Sequence, residues 1–199
     1  MGTSSYLPND QFSSPSTLEG QPNLVLIGYR ATGKTAVGRR LAVLLNRPFV
    51  DLDQVLVEEA GQTIAEIVAQ RGWEEFRRRE KELVGRYGLR QGLVLATGGG
   101  VVLDLDNIRI LRKNGIVIWL TADPATIQGR LIFDPGEESR PSLTGKDLIS
   151  EVREVLKARQ HLYLAAAQII INTVDQTVEE VTERVLAAVK AREALSHGG

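Results

Sequence analysis

Gly28-Tyr29-Arg30-Ala31-Thr32-Gly33-Lys34-Thr35 is the stretch that decides the fold, because of what stands on either side of it. An apolar run, Leu24-Val25-Leu26-Ile27, precedes it, and apolar residues at helical spacing follow it from Ala36 to Leu45. This order predicts a buried strand, a glycine-rich turn and an amphipathic helix. The spacing is that of a P-loop, and the strand before it and the helix after it argue against a chance match.

The loop carries the chemistry of a phosphate site. Its glycines admit backbone angles and close approaches that a Cβ would forbid. Its backbone N–H groups and the positive end of the following helix attract phosphate oxygens. Lys34 can then reach the β- and γ-phosphates, and the Thr35 hydroxyl can bind Mg²⁺. The sequence therefore predicts a nucleoside triphosphate site made of Gly28, Arg30, Ala31, Thr32, Gly33, Lys34, Thr35 and Ala36.

Composition limits the remaining possibilities. The chain has 199 residues, no cysteine and a formal net charge of −1. The lack of cysteine excludes disulfides, thiolate metal ligands and cysteine nucleophiles, and the balanced charge gives no argument for nucleic-acid or membrane binding. No apolar run approaches the ~20 residues of a membrane helix, and the first residues lack a secretory signal. We therefore expect a cytoplasmic protein with no nucleic-acid or membrane partner. We also expect a monomer, although nothing in the composition argues for it.

The chain divides into a short tail and one domain. Residues 1–22 are rich in Ser, Pro, Asn, Gln and Gly and predict a disordered tail. Strand-like and helix-like segments alternate over residues 23–194, which predicts a parallel sheet covered by helices on both faces. A polar stretch with prolines and glycines at about 133–146 predicts a lid, and residues 195–199 are expected to fray.

Two further clusters follow predicted strands, where open parallel sheets bind their ligands. In Asp51-Leu52-Asp53, one carboxylate could hold a metal-bound water and the other could accept a proton from an acceptor hydroxyl. Asp53 could instead be only a helix N-cap, a position that aspartate fills well. Gly98-Gly99-Gly100 indicates either that the backbone approaches a ligand closely or that the chain makes a tight turn there.

Arginines outside the loop have two readings as well. Three of them occupy successive helix positions starting at Arg77, so they cannot all face one site. Arg77 and Glu80 share a face and can pair, either on a solvated surface or as a clamp for a carboxylate. Arg140 lies in the predicted lid, where it could neutralise charge on a transferring phosphoryl group. His161 has no acid or metal ligands around it in sequence and is predicted to be non-catalytic.

Over about residues 23–190, the ordered motifs resemble those of the shikimate kinase family. The motifs are Gly28–Thr35, Asp51-x-Asp53, Phe76-Arg77-Arg78-x-Glu80, Gly98-Gly99-Gly100, Arg140-Pro141 and Arg159-x-x-Leu162-Tyr163. The resemblance implies a three-layer α/β P-loop fold like that of nucleoside monophosphate kinases, with five parallel strands in the order 2-3-1-4-5. It also implies an ATP-dependent transferase of aromatic amino-acid biosynthesis that phosphorylates the 3-hydroxyl of shikimate.

The resemblance further implies a role for each matched residue. Asp53 would bind the shikimate hydroxyls and accept the proton. Thr35 would bind one Mg²⁺ per subunit directly, and Asp51 would bind it through water. Lys34 and Arg140 would stabilise the phosphates in transfer. The remaining implied contacts are Arg77 and Arg159 at the shikimate carboxylate, Glu80 beside them, Gly98, Gly99 and Gly100 at the ring, and Arg130 stacked on adenine.

The sequence departs from the family pattern in three places, one of which is His161, where many members have proline before Leu-Tyr. Tyr29 and Arg30 stand where the loop more often has an aliphatic and a small residue, and Arg30 is expected to add positive charge near the phosphates. Residues 173–177 lack a proline often found on the adenine side. Two other functions stay open on the residues alone: a gluconate-type sugar-acid kinase and a nucleotide-dependent switch. The lack of an Asn-Lys-x-Asp motif and the presence of Lys34 and Asp53 disfavour the switch.

Overall fold

Strands and helices alternate along the chain, as the sequence predicts. The computed structural model describes residues 20–133 and 147–197. The strands are β1 (Asn23–Ile27), β2 (Phe49–Asp51), β3 (Val94–Ala96), β4 (Gly115–Thr121) and β5 (Ile169–Asn172). The α-helices are α1 (Lys34–Leu45), α2 (Leu52–Ala60), α3 (Ile64–Gly88), α4 (Leu105–Lys113), α5 (Pro124–Phe133), α6 (Leu148–Ala166) and α7 (Val178–His197), with a 3₁₀ turn at Val101–Leu103.

The five strands form one parallel sheet in the order β2-β3-β1-β4-β5, which confirms the predicted order. Strand β1 lies at the centre, where Leu24 pairs with Val94 of β3 on one side and with Ile116 of β4 on the other. Every residue of β1 is buried, because helices cover both faces of a parallel sheet. The central strand therefore delivers the loop after Ile27 to the middle of the sheet's carboxyl edge.

Apolar clusters on the two faces of the sheet make the three-layer order helix, sheet, helix. On one face, α2, α3, α4 and α6 pack over sheet residues that include Val25 and Val117. On the other, α1 and α7 pack over Leu24 and Ile118. A third, smaller cluster joins Tyr29 of the loop to α5 and α6. The first turn of α6 is thus packed directly against the predicted phosphate site.

Helix α3 combines two helical segments. Its first segment begins with a capping box, in which Thr63 Oγ1 accepts from the Glu66 N–H at 3.2 Å and Glu66 accepts from the Thr63 N–H at 2.7 Å. Gly72 interrupts the element at φ 79° and ψ 171°, a left-handed φ that glycine adopts without steric cost. The interruption separates the capped first turns from the part that carries Arg77.

The domain begins earlier than predicted. Residues 20–22, expected in the disordered tail, bond to the domain: the Gly20 N–H donates to Gln91 Oε1 at 2.8 Å, and Arg47 Nη1 donates to the Pro22 carbonyl at 2.9 Å. Arg47 is largely buried, so its guanidinium needs this carbonyl partner. These three residues therefore belong to the folded domain.

The C-terminal end and the start of the lid also differ from the predicted boundaries. Helix α7 continues to His197, so residues 195–197 are helical where fraying is predicted, and Phe133 closes α5 rather than opening the lid. Residues 1–19, 134–146 and 198–199, which include the rest of the predicted lid with Arg140, lie outside the described residues. Within the described ranges, no helix is both long and apolar enough to cross a bilayer.

Deleting residues 1–19 is expected to leave kcat and both KM values unchanged, because the composition of this segment predicts no part in folding. Deleting residues 1–22 is expected to lower Tm by about 2–4 °C, since it also removes the Pro22 carbonyl that Arg47 binds. Steady-state kinetics and thermal melts of the two truncations test this. A loss of activity in the shorter deletion would contradict the idle-tail prediction.

Candidate active site

Two cavities lie at the carboxyl edge of the sheet, on either side of the loop after β1. The larger, about 520 Å³, is lined by residues 31–37 of the loop and the start of α1, together with Arg130 and the stretch after β5. The smaller, about 50 Å³, is lined by Tyr29, Arg30, Asp53, Ile64, Trp73, Phe76, Arg77, Glu80, Gly98, Gly99, Gly100 and Arg159. The structure thus sorts the predicted residues into two groups, which we call the nucleotide cavity and the acceptor cavity.

The loop holds a curved shape through its own hydrogen bonds. Thr32 Oγ1 and Lys34 Nζ both donate to the Tyr29 carbonyl, at 2.8 and 2.7 Å. Gly28 and Gly33 have φ of 142° and 92°, which requires glycine. Ala31 has φ 57°, a left-handed value that costs an alanine about 1–2 kcal/mol. The loop is therefore preformed, with a local strain that the surrounding contacts sustain.

Thr35 and Asp51 form the pair that could hold a metal ion. Thr35 Oγ1 donates to Asp51 Oδ2 at 2.7 Å, so two oxygen ligands suited to Mg²⁺ lie side by side at the start of α1. Burial and the neighbouring Asp53 raise the pKa of Asp51, and the Thr35 hydroxyl opposes that rise. No group of three or more His, Cys, Asp or Glu side chains in the described segments could hold a metal. A divalent cation at this pair would take its other ligands from the nucleotide and water.

The helix cap after β2 is Asp51, not Asp53. The Asp51 side chain accepts from the backbone N–H groups of Asp53 and Gln54, at 3.1 and 3.4 Å. The interpretation of Asp53 as an N-cap is therefore wrong, because α2 begins at Leu52 and already includes Asp53. The Asp53 side chain instead lines the acceptor cavity and is 7% exposed.

Two carboxylates press on Gly98. A Cβ at this position would lie 2.6 Å from Glu80 Oε1 and 2.8 Å from Asp53 Oδ1, closer than real Cβ atoms come to other atoms. Gly100 is equally restricted, because a Cβ there would overlap the Arg77 guanidinium. From the sequence, these glycines could be required either by a ligand or by a tight turn. The structure shows that they leave room for side chains of the site.

Arg77 faces the acceptor cavity, whereas the arginine after it lies on the solvated surface of α3. Arg77 Nη1 pairs with Glu80 Oε2 at 2.6 Å, and Glu80 is almost fully buried. Burial raises the pKa of Glu80, and the Arg77 guanidinium opposes that rise. Arg78 is about half exposed and pairs with Glu75 and Glu82. The predicted Arg77–Glu80 pair is confirmed, and it lies at the cavity rather than in solvent.

Arg159 reaches the same cavity from α6. Its Nη1 donates to the Gly99 carbonyl at 3.1 Å, and Tyr163 Oη donates to the same carbonyl at 2.5 Å. Tyr163 is buried and stacks on Trp119 with ring centroids 5.4 Å apart, which holds it in place. In the described part of the chain, no carboxylate lies within ion-pair distance of Arg159. Its charge is therefore available to an anionic ligand.

Arg130 links two segments that line the nucleotide cavity. Its Nη1 donates to the Ala31 carbonyl at 3.2 Å and to Thr173 Oγ1 at 2.9 Å, and its Nη2 donates to the Thr173 carbonyl at 2.6 Å. The arginine thus links the P-loop to residues 173–177, the stretch without the expected proline. Its predicted stacking on adenine stays a prediction.

One predicted residue lies at a different cavity from the one expected, one lies outside the described residues, and several residues were missed. Arg30 lines the acceptor cavity and not the nucleotide cavity, and Arg140 lies outside the described residues. Sequence reasoning missed the apolar wall of the acceptor cavity, Ile64, Trp73 and Phe76. Trp73 stands one helical turn before Arg77, so helical spacing could have found it.

Comparisons with known proteins point to one family. A family model described as shikimate kinase matches residues 30–190. The shikimate kinase of Symbiobacterium thermophilum is 42% identical over 170 residues, which cover 85% of this chain and 97% of that protein. Shikimate kinase 2 of Syntrophotalea carbinolica is 43% identical over 149 residues, covering 75% and 86%.

The fold agrees with solved structures of the same kind. A shikimate kinase from Acinetobacter baumannii, solved in complex with shikimate, matches with a TM-score of 0.83 at 32% identity, covering 90% of this chain and 98% of that one. With a family model matched over most of the chain and relatives above 40% identity, this chain belongs to the shikimate kinase family.

Proposed function

We propose that this protein transfers the γ-phosphoryl group of ATP to the 3-hydroxyl of shikimate. The observation that carries the proposal is the acceptor cavity, where three arginines (Arg30, Arg77 and Arg159) and a buried aspartate line one small space beside the phosphate-binding loop. An acceptor with one carboxylate and several hydroxyls matches these groups, because arginines bind carboxylates in a fixed fork and a carboxylate accepts a hydroxyl proton. Family membership and a relative solved with shikimate support the same acceptor.

The acceptor is proposed to bind with its carboxylate at Arg159 and Arg77. Arg159 has the larger share, because the charge of Arg77 is already met by Glu80 at 2.6 Å. Asp53 takes the hydroxyl side and accepts its proton as the oxygen attacks. The aromatic and aliphatic wall at Trp73, with the rest of the apolar lining, excludes water from the ring of the acceptor.

The phosphates are proposed to lie along the loop N–H groups, with Lys34 beside the group in transfer. Phosphoryl transfer needs positioning and charge neutralisation more than covalent chemistry, and the loop supplies both. Mg²⁺, which Thr35 and Asp51 would hold, supplies neutralisation of phosphate charge when it is bound. Arg140 is proposed to add positive charge, as its sequence position in the family motif implies. Cytoplasmic residence and a monomeric state stay predictions.

A direct assay tests the function. Purified protein with Mg-ATP is given shikimate, quinate or gluconate, and ADP release is followed in a coupled assay with the product identified by mass spectrometry. We expect turnover with shikimate and a product heavier by one phosphate, with weak or no turnover on gluconate. Turnover of gluconate but not of shikimate would overturn the proposal in favour of a sugar-acid kinase.

Replacing Arg159 by alanine is expected to raise the KM for shikimate by about 10- to 100-fold, because a charge-assisted clamp on the carboxylate is lost. Arg77→Ala is expected to have a smaller effect on that KM, since Glu80 already neutralises Arg77. Binding can be followed without turnover through the fluorescence of Trp73, which lines the cavity. Arg78→Ala, an exposed arginine on the same helix as Arg77, is the matched control. Unchanged affinity in Arg159→Ala would remove Arg159 from the acceptor site.

A further inference from the structure

One ion pair connects the phosphate-binding loop to the helix that carries Arg159. Arg30 Nη2 lies 2.5 Å from Glu151 Oε1, although the two residues are 121 positions apart in sequence. Their side chains are 11% and 2% exposed, which makes this the most buried ion pair among the described residues. Glu151 lies in the first turns of α6. None of the roles implied by the sequence uses this glutamate.

Because the pair is buried, it is expected to add little to the free energy of unfolding. Taking a guanidinium and a carboxylate out of water costs much of what their attraction returns, so a buried pair often stabilises no more than apolar residues would. In addition, Arg30 Nε is buried with no hydrogen-bond partner among the described residues. The guanidinium therefore depends on Glu151 for its compensation, and the arrangement points to a geometric role.

The position of the pair on α6 indicates what that geometry controls. Glu151 and Arg159 are eight residues apart on the same helix, or about 12 Å along its axis. Glu151 binds Arg30 of the loop, and eight residues further along the helix Arg159 reaches the Gly99 carbonyl at 3.1 Å. The helix therefore spans from the phosphate-binding loop to the proposed carboxylate clamp.

Apolar contacts also join the loop to α6. Tyr29 packs in one cluster with Val152 and Val155, and its hydroxyl is buried without a hydrogen-bond partner among the described residues. Apolar contacts are not directional, so they tolerate a small slide of the helix along the loop. A charge-assisted hydrogen bond has a defined length and direction, so the Arg30–Glu151 pair opposes such a slide.

We propose that Glu151 is a positioning residue of the acceptor site. By holding Arg30, it sets the distance between the phosphate-binding loop and Arg159, and so aligns the acceptor's carboxylate and hydroxyl with the phosphate in transfer. The inference rests on the proposed function. Arg30 then serves as a strut in the wall of the acceptor cavity rather than as the phosphate ligand that the sequence predicts.

Glu151→Gln tests the proposal, because glutamine keeps the shape of the side chain and removes its charge. We expect the KM for shikimate to rise about five- to tenfold, while the KM for ATP changes less than about twofold. Glu154→Gln, an exposed glutamate three residues along the same helix, is the matched control and is expected to leave both KM values unchanged. If Glu151→Gln does not fold, Glu151→Asp, which keeps the charge but shortens the side chain, takes its place with the same expected outcomes.

The exchanged pair Arg30→Glu with Glu151→Arg separates positioning from plain stabilisation. It restores an ion pair between the loop and the helix with the charges exchanged. We expect both its Tm and its KM for shikimate to lie closer to wild type than those of Glu151→Gln. A KM that stays raised although Tm recovers would overturn the proposal, since the restored pair would then stabilise the fold without positioning the acceptor site.

Two other outcomes are informative. Equal shikimate KM values in Glu151→Gln and Glu154→Gln, in a wild type that phosphorylates shikimate, would overturn the role of Glu151 and leave the function standing. A wild type that does not phosphorylate shikimate would remove the proposed function itself. In that case, the positioning role falls with it.

Discussion

Replacing Asp53 by asparagine is expected to lower kcat with shikimate by about 10²- to 10⁴-fold, the range in which removal of a general base acts. Asparagine has nearly the same shape, so the acceptor cavity keeps its form, but the amide cannot take the hydroxyl proton. Asp53 lines the acceptor cavity and not the nucleotide cavity. The KM for ATP should therefore change by less than about twofold, because a group absent from the nucleotide site contributes no uniform binding there.

The thermal stability of Asp53→Asn is not expected to fall with its activity. The Asp53 and Glu80 carboxylates both lie against Gly98, and the charge of Asp53 contributes to the raised pKa of Glu80. Removing one of two neighbouring negative charges relieves repulsion, so Tm is expected to stay equal or to rise. Steady-state kinetics and thermal melts of Asp53→Asn measure both, with Asp106→Asn, at an exposed position of α4, as the control. An unchanged kcat would show that Asp53 does not accept the proton.

Lys34→Ala is expected to be nearly as damaging, lowering kcat by about 10²- to 10³-fold as the loss of one preorganised charge on a transition state does. Lys34 lines the nucleotide cavity and is 8% exposed. Its side chain also donates to the Tyr29 carbonyl at 2.7 Å, so alanine removes a contact that shapes the loop. The rate loss therefore combines missing charge with a looser loop.

Two further variants separate these causes. Lys34→Met keeps the length and volume of the side chain without its charge, and it is expected to lose as much activity as alanine. Thr32→Val removes the other donor to the Tyr29 carbonyl, which lies 2.8 Å from that oxygen, and it keeps the lysine. The loss of kcat in this variant should be much smaller than in the Lys34 variants. Turnover near wild type in both Lys34 variants would contradict the role of the loop lysine.

The phosphate-binding loop shows which parts of the site the sequence could supply. Its strand, turn and helix come from residues next to one another, and the hydrogen bonds that shape it run within the same few positions. The Arg77–Glu80 pair is local in the same way, at a spacing of three residues on a helix. Local sterics and helical periodicity determine such features, so a pattern in the chain suffices to predict them.

The aspartates at the end of β2 show where local reasoning fails. Both residue positions suit an N-cap, and the sequence left open whether Asp53 is a cap or a functional carboxylate. Strand β2 continues to Asp51, where it pairs with Ala96 of β3, and α2 starts directly at Leu52. The choice of cap thus depended on where a strand from another part of the chain stops pairing.

By itself, the sequence determined the alternation of strands and helices, the phosphate-binding loop, and the set of acidic and basic residues that a small-molecule kinase needs. Only the tertiary structure decided that Gly98 packs against Asp53 and Glu80, that Tyr163 holds the Gly99 carbonyl, and that Glu151 binds Arg30. These contacts join segments far apart in the chain. They depend on how helices pack on the twisted sheet, and no spacing within one element encodes that packing.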